Sequence, residues 1–265
     1  MQIRHPSAAR CPVRTSTIKT RLTKALCVFF WLAVWQTAAA VVGQRILIVG
    51  PVEVVIRLFE LLGEPGLWSS SVFSTARIAG GFLLALASAI VLSMLASVHR
   101  WVRSLVEPVV QAFKAIPVAS IVIVVLIWVD SRNLSVIISF MMVFPVLYTN
   151  LLSAIESTDS RMVEMGVSYR LGAYEKLRLI YLPQVYPYFL SSSSLALGLA
   201  WKSGVAAEVI GIPDGSLGER LYDAKVFFAT ADVFAYTLLI VILSVGFEVL
   251  MKALIRYLGR RLEAV

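Results

Sequence analysis

A single long polar segment divides this chain, and it reads Glu164-Met-Gly-Val-Ser-Tyr-Arg-Leu-Gly-Ala-Tyr-Glu-Lys-Leu-Arg-Leu-Ile-Tyr-Leu-Pro183. Apolar stretches lie on both sides of it, and each is long enough to cross a bilayer, which takes about 20 mostly apolar residues. Connections between packed helices are usually short. A polar connection of this length therefore predicts a surface that contacts a partner outside the membrane.

The composition is typical of a membrane protein. Of the 265 residues, 59% are hydrophobic and 15% are charged, whereas a soluble domain has about 45–50% and ~25%. A net charge of +8 is also found in nucleic-acid-binding proteins. Here the basic residues lie in tails and loops and no nucleic-acid motif is present, so we expect no nucleic-acid partner. Two cysteines and two histidines predict neither a metal site nor a disulfide framework.

Six segments have the length and composition of a membrane span. They lie near residues 25–42, 73–97, 107–129, 134–155, 185–208 and 231–252. We therefore predict an all-α polytopic membrane protein with six transmembrane helices, flanked by tails at 1–24 and 253–265. Between the first two spans, apolar residues at 55, 58, 59 and 62 predict an amphipathic helix outside the membrane. In the fifth span, small residues spaced four apart (Ser194 and Gly198, Ala200 and Gly204) favour close helix packing.

The distribution of lysine and arginine predicts the orientation. With a cytoplasmic N-terminus, sixteen of the 24 basic residues lie inside, five lie outside, and three are within or at the edges of spans. Both termini and the connection 156–184 are therefore expected in the cytoplasm. A cleaved signal peptide is the alternative for the start, because basic residues precede an apolar run ending near Thr37-Ala-Ala-Ala40. Trp31 and Trp35 within that run favour a retained helix, and the other spans keep their orientation either way.

The connection 156–184 resembles the cytoplasmic signature loop of permease subunits of binding-protein-dependent ABC importers. That pattern reads Glu-Ala-Ala, three residues, Gly, nine residues, then Ile-x-Leu-Pro. This chain has Ile180-Tyr-Leu-Pro183 at the end and Glu164 at the required distance before it.

Three positions depart from this pattern. Met165 and Gly166 stand where the pattern has two alanines, and Arg170 stands where it has glycine. The resemblance nevertheless extends beyond the loop, since residues 107–121 and 195–208 are similar to spans of the nitrate/sulfonate/taurine branch of these permeases. The departures concern the local turn more than the role of the segment.

The resemblance implies an ABC type I importer permease fold over residues 73–252. In that family two permease subunits form the pathway, two cytoplasmic ATPase subunits power it, and an extracytoplasmic binding protein delivers the solute. The expected coupling helix, which sits in a groove of the ATPase, comprises Glu164, Met165, Gly166, Val167, Ser168, Tyr169, Arg170, Leu171, Gly172 and Ala173. The expected end of the loop comprises Ile180, Leu182 and Pro183.

The chain has no Gly-x4-Gly-Lys-Ser/Thr nucleotide-binding loop. We therefore expect no cofactor and no enzyme activity in this chain, and ATP bound by a separate ATPase. The resemblance also implies a bacterial plasma (inner) membrane location and a second permease copy, most simply as a homodimer.

Two lysines lie within predicted spans, where ionisable side chains are costly and tend to face an aqueous cavity. The hypothesis is that Lys114 and Lys202 face the pathway and favour a small anion such as nitrate, a sulfonate or taurine. The alternative is a pair of structural lysines bonded to neighbouring carbonyls. Glu208 lies near an outer boundary, where we expect it to reach water.

Two other classes of function are compared with this one. A self-sufficient secondary transporter often contains internal repeats, which are absent from the sequence, and it would leave the connection 156–184 unexplained. An intramembrane enzyme would need a catalytic cluster at one depth, and the acidic residues lie almost entirely in loops or at span edges.

Overall fold

The computed structural model of the protein describes residues 17–263, and every regular element within them is helical. In chain order these are α1 (Thr17–Val42), α2 (Pro51–Leu62), α3 (Leu67–Val98), α4 (Arg100–Ala115), α5 (Val118–Val125), α6 (Ser131–Glu156), α7 (Ser160–Ser168), α8 (Ala173–Lys176), a π-helical turn (Leu177–Tyr181), α9 (Leu182–Gly211), α10 (Leu217–Val226) and α11 (Thr230–Glu263). The all-α prediction is confirmed. Most of the predicted tail 1–24, up to residue 16, and the last two residues of the tail 253–265 lie outside the described residues.

Four helices of the described segment are long and apolar enough to cross a membrane, namely α1, α3, α6 and α11. They contain the first, second, fourth and sixth predicted spans. The third predicted span corresponds to α4 and α5, which make a fifth span if the bent pair is counted as one. The fifth predicted span lies in α9, whose 30 residues extend about 45 Å but include four consecutive serines and Lys202. The total of six spans therefore stays a prediction.

The third predicted span is broken at Pro117. Helices α4 and α5 meet there at 109°, and Ile116 is extended, with φ −78° and ψ 128°. The pyrrolidine ring disfavours the helical conformation in the residue before it, so α4 ends at Ala115. Pro117 then precedes the first turn of α5, where its missing N–H costs nothing. The segment 107–129 is therefore two helices and not one continuous span.

Helix α6 is the centre of the bundle and packs against α3 and α9. The close approach depends on small residues, as the spacing of Ala200 and Gly204 predicted. A Cβ built on Gly204 would lie 2.6 Å from the Ser139 Oγ of α6, and that hydroxyl donates to the Ala200 carbonyl at 3.1 Å. Gly198 does not make such a close approach, because nothing lies within 4 Å of its Cβ position.

The amphipathic helix predicted outside the membrane is present as α2. Its buried side chains are Val54, Leu58 and Leu61, whereas Phe59 is 70% exposed. Of the predicted stripe, Leu58 is buried in the bundle, whereas Val55 and Phe59 are exposed, so its placement at a membrane interface stays a prediction. Arg57 lies towards α11.

Ion pairs hold α2 to the start of α11. Arg57 donates through Nε and Nη2 to the two carboxylate oxygens of Asp232 and through Nη1 to Glu60 at 2.9 Å. These hydrogen bonds raise the pKa of the Arg57 guanidinium above its usual range, and the bond to Asp232 has the larger effect. Arg220 of α10 extends the network by donating to Ser70 of α3 at 2.9 Å. This end of the bundle is opposite to α7, because α9 begins beside α7 and ends beside α10.

Candidate functional site

The start of α7 is fixed by two side chains. Asp159 caps the helix, since its carboxylate accepts from the Arg161 amide at 2.9 Å, as side-chain caps do for the free N–H groups of a first turn. Gln184, in the first turn of α9, accepts from the Asp159 amide at 3.0 Å. The same side chain donates to the Ile180 carbonyl at 3.2 Å and approaches the Met162 Sδ at 3.4 Å. Gln184 therefore ties α7 to the beginning of a bundle helix.

The end of α7 is a Schellman motif centred on Arg170. The Leu171 amide donates to the Gly166 carbonyl and the Arg170 amide to the Val167 carbonyl, both at 2.9 Å. This pair of bonds needs a left-handed residue after the C-cap, a position usually held by glycine. Arg170 takes that conformation, with φ +54°. Arginine therefore takes a left-handed conformation at the position where the signature pattern has glycine.

Gly166 brings α7 close to the π-helical turn. It is the buried residue of α7, and a Cβ built on it would lie 2.6 Å from the Ile180 Cδ1 and 3.7 Å from the Lys176 Cγ. A glycine in a helix interior costs about 1 kcal/mol relative to alanine. Here the missing methyl group leaves the space that Ile180 fills.

The helix after the turn does not end at Leu182-Pro183. It continues from α8 through the π-helical turn into α9. Pro183 has no N–H to donate and its ring would crowd the preceding turn, and a π-helical turn is a common local adjustment in a continuous helix. Helix α7 therefore packs against a helix that reaches across the bundle.

Helix α7, the turn after it and α8 carry exposed apolar side chains on more than one side of the helix, and these have no partner among the described residues. Met165 is 52% exposed, Val167 58% and Tyr169 75%, and Tyr174 of α8 adds a further exposed ring at 72%. Exposed apolar groups on a charged, amphipathic helix typically mark a contact surface. We call Met165, Val167, Tyr169 and Tyr174 the α7 face.

The predicted coupling residues fall on two helices and the turn between them. Glu164, Met165, Gly166, Val167 and Ser168 form the second half of α7, which starts four residues earlier than predicted, at Ser160. Tyr169, Arg170, Leu171 and Gly172 form the turn, and Ala173 begins α8. Ile180 lies in the π-helical turn, and Leu182 and Pro183 begin α9.

The two predicted pathway lysines are exposed, and neither makes a side-chain hydrogen bond or ion pair within residues 17–263. Lys114 lies in the last turn of α4, directly before the bend. Lys202 lies on the open side of α9, one turn after the uncovered Gly198 and on the same side as Leu195, which is 68% exposed. The alternative of lysines bonded to neighbouring carbonyls is not seen for either residue.

The sequence suggested that Glu208 lies at a water-accessible boundary, and this prediction is wrong. It is fully buried, and its Oε2 accepts from the Ser74 hydroxyl at 2.6 Å and from the Gly218 amide at 3.4 Å. Ser74 in turn accepts from the Leu217 amide at 2.9 Å. The carboxylate therefore joins α9 to α3 and to the N-terminus of α10, where negative charge is favoured. No local spacing predicts it, because Ser74 is 134 positions away.

A second interaction that the sequence did not indicate lies next to the connection 156–184. Arg103 of α4 donates through Nη1 to Glu156, the last residue of α6. The same guanidinium lies 3.9 Å from Glu107. The pair fixes α4 beside the point where the chain leaves the bundle for α7.

A bundle of long apolar helices, four or five of which could cross a membrane, defines the class of protein, an integral-membrane protein. The chain belongs to the family described as binding-protein-dependent transport system inner membrane component, whose profile matches residues 74–264. It is therefore a multi-pass permease of the ABC importers with the type I fold, a transport subunit and not an enzyme. The resemblance stated from the signature loop is confirmed.

Three relatives define the branch. The chain is 26% identical to the nitrate import permease protein NrtB of Synechococcus elongatus, over 99% of this chain and 98% of that protein. It is 27% identical to the putative aliphatic sulfonates transport permease protein SsuC of Bacillus subtilis, over 77% and 74% of the two chains. It is 24% identical to the taurine transport system permease protein TauC of Escherichia coli, over 86% and 85%. These matches place it in the nitrate/sulfonate/taurine branch.

Proposed function

We propose that this chain forms the solute pathway of an ABC importer and couples it to a separate ATPase through α7. The observation that carries the proposal is the α7 face, an unpartnered apolar surface on a helix fixed at both ends. Its start is bonded to Gln184 of α9, and its middle packs on Ile180. A displacement of α7 by ATP-driven closure of the ATPase would thus be passed directly into α9.

The orientation that goes with this proposal places α7 and both termini in the cytoplasm. The bias of basic residues supports it, and so does the missing nucleotide-binding loop, since energy must then come from a cytoplasmic partner. The opposite end, with α2 and α10, would face the extracytoplasmic binding protein. A second copy of this chain, as a homodimer, would complete the pathway.

The solute we propose is a small anion such as nitrate, a sulfonate or taurine. The names of the three relatives support this class. Within the chain, Lys202 offers an unpaired positive charge on the open side of α9, beside Gly198 where no side chain covers the helix. Lys114 is the second candidate, at the bend between α4 and α5. An unpaired cation inside a water-filled pathway attracts anions and repels cations.

The coupling proposal is tested by co-purification from the native membrane. The full-length wild-type chain is expected to retain a P-loop ATPase, and Met165→Asp is expected to lose it, because a carboxylate at an apolar contact is left desolvated. Phe227→Asp is the matched control, since Phe227 is 78% exposed at the opposite end of the bundle. If the chain never associates with such an ATPase, or if Met165→Asp retains it fully, the proposal fails.

The pathway proposal is tested by uptake into proteoliposomes that contain the complete transporter. Lys202→Met is expected to lower anion uptake about tenfold or more, the effect of losing one charge-assisted contact, and Lys202→Arg to keep most of it. Unchanged uptake in both Lys202 variants would remove Lys202 from the pathway without affecting the coupling proposal.

A further inference from the structure

A large apolar cavity lies at the α7 end of the bundle. Its volume is about 700 Å³, and its walls come from α3, α6, α8 with the π-helical turn, and α9. Binding pockets for small organic ligands have volumes of about 300–1,000 Å³ and mostly apolar walls. This cavity belongs neither to the α7 face nor to the open side of α9 that carries Lys202.

The cavity begins at the boundary between the apolar spans and the polar connection. Val98 and Glu156 line it, and they are the last residues of α3 and α6. Ile90, which also lines it, is eight residues before Val98, so the apolar part reaches about 12 Å deeper into the membrane. Tyr181 and Tyr186 also line the cavity, and aromatic residues are enriched at the level of lipid headgroups.

Two charged residues line the cavity, Glu156 and Lys176, and only one of them has a partner of opposite charge. Glu156 is neutralised by its ion pair with Arg103. Lys176 lines the cavity, is partly buried, and makes no ion pair or side-chain hydrogen bond within the described part of the chain. The entrance therefore presents one uncompensated positive charge above an apolar space, a combination that fits an anionic headgroup with an acyl chain below it.

We propose that this cavity binds one acyl chain of an anionic phospholipid of the adjacent leaflet, with the headgroup held by Lys176. The bound lipid would be linked to the coupling segment through Lys176, because the Lys176 Cγ lies 3.7 Å from the Cβ position of Gly166 in α7. Lipid occupancy would thereby bias the position of α7. This regulatory consequence rests on the proposed coupling function, whereas lipid binding does not.

Lipid retention by the full-length, purified and delipidated permease, measured by native mass spectrometry, tests the proposal. The probes are phosphatidylglycerol and phosphatidylcholine. We expect the wild type to retain phosphatidylglycerol in preference to phosphatidylcholine. Lys176→Gln should reduce retention of phosphatidylglycerol about fivefold, which is the effect of one lysine at an anionic headgroup. Lys176→Arg should restore it. Ser97→Trp, at an exposed serine that lines the cavity, is expected to reduce retention of both lipids.

Lys225→Gln, at the opposite end, serves as the control and is expected to match the wild type. Retention of phosphatidylglycerol at the wild-type level in Lys176→Gln would overturn the proposal, as would equal retention of the two lipids by the wild type. Density for a protein segment inside the cavity of the assembled transporter would also overturn it. Because the assay needs no ATPase, its failure is distinguishable from a failure of the coupling proposal.

Discussion

Replacement of Arg170 by glycine should stabilise the end of α7. Arg170 has φ +54°, and a non-glycine residue in the left-handed region costs about 1–2 kcal/mol. Glycine removes that cost but loses roughly 0.5–1 kcal/mol of backbone entropy. The net gain should therefore be about 0.5–1 kcal/mol. Arg170→Ala is the informative control, because it removes the same charge and side chain but keeps the strained conformation.

Hydrogen–deuterium exchange of the permease in nanodiscs measures this directly. The amides of Arg170 and Leu171 close the Schellman motif, so their protection reports its opening. A gain of 1 kcal/mol corresponds to about fivefold slower exchange. We therefore expect these amides to exchange more slowly in Arg170→Gly than in the wild type. In Arg170→Ala they should not exchange more slowly. Equal exchange in the glycine and alanine variants would refute the argument from backbone strain.

Two further predictions concern packing. Gly166→Ala should lower ATP-driven uptake, because the new methyl group would lie 2.6 Å from the Ile180 Cδ1, and adding Ile180→Val, which removes that atom, should restore uptake in a proteoliposome assay. Glu208→Ala should lower the free energy of unfolding by about 1–3 kcal/mol, since it leaves the buried Ser74 hydroxyl without its acceptor. Glu208→Gln, which keeps an acceptor there, should lose less in a thermal-shift measurement. If Ile180→Val does not restore uptake, the argument from packing between Gly166 and Ile180 fails. If the two Glu208 variants lose equal stability, the argument from the Ser74 hydrogen bond fails.

The sequence was sufficient for the parts of the fold that depend on composition and local spacing. Long apolar runs predicted α3, α6 and α11 because a span is defined by its own residues. The signature pattern has glycine where this chain has Arg170, and the structure has a left-handed residue at that position. The break at Pro117 lies inside a segment predicted as one span, and its angle of 109° depends on how α4 and α5 pack.

What the sequence did not predict depends on contacts between distant residues. The partners of Glu208 come from α3 and α10, so its burial could not be inferred from its place at the end of a span. The contact between α2 and α11 depends on the bond between Arg57 and Asp232, which are 175 positions apart. The continuation of α8 into α9 through Pro183 likewise requires the π-helical turn, which leaves no pattern in the residues.

The affinity of the ATPase for the nanodisc-embedded permease tests the central claim most directly. Tyr169 of the α7 face is 75% exposed, and an aromatic residue that is a hot spot of an interface contributes about 2 kcal/mol or more. We therefore expect Tyr169→Ala to weaken the Kd about thirtyfold without a change in Tm, and Phe227→Ala to leave it unchanged. An unaltered Kd in Tyr169→Ala would contradict α7 as the coupling surface.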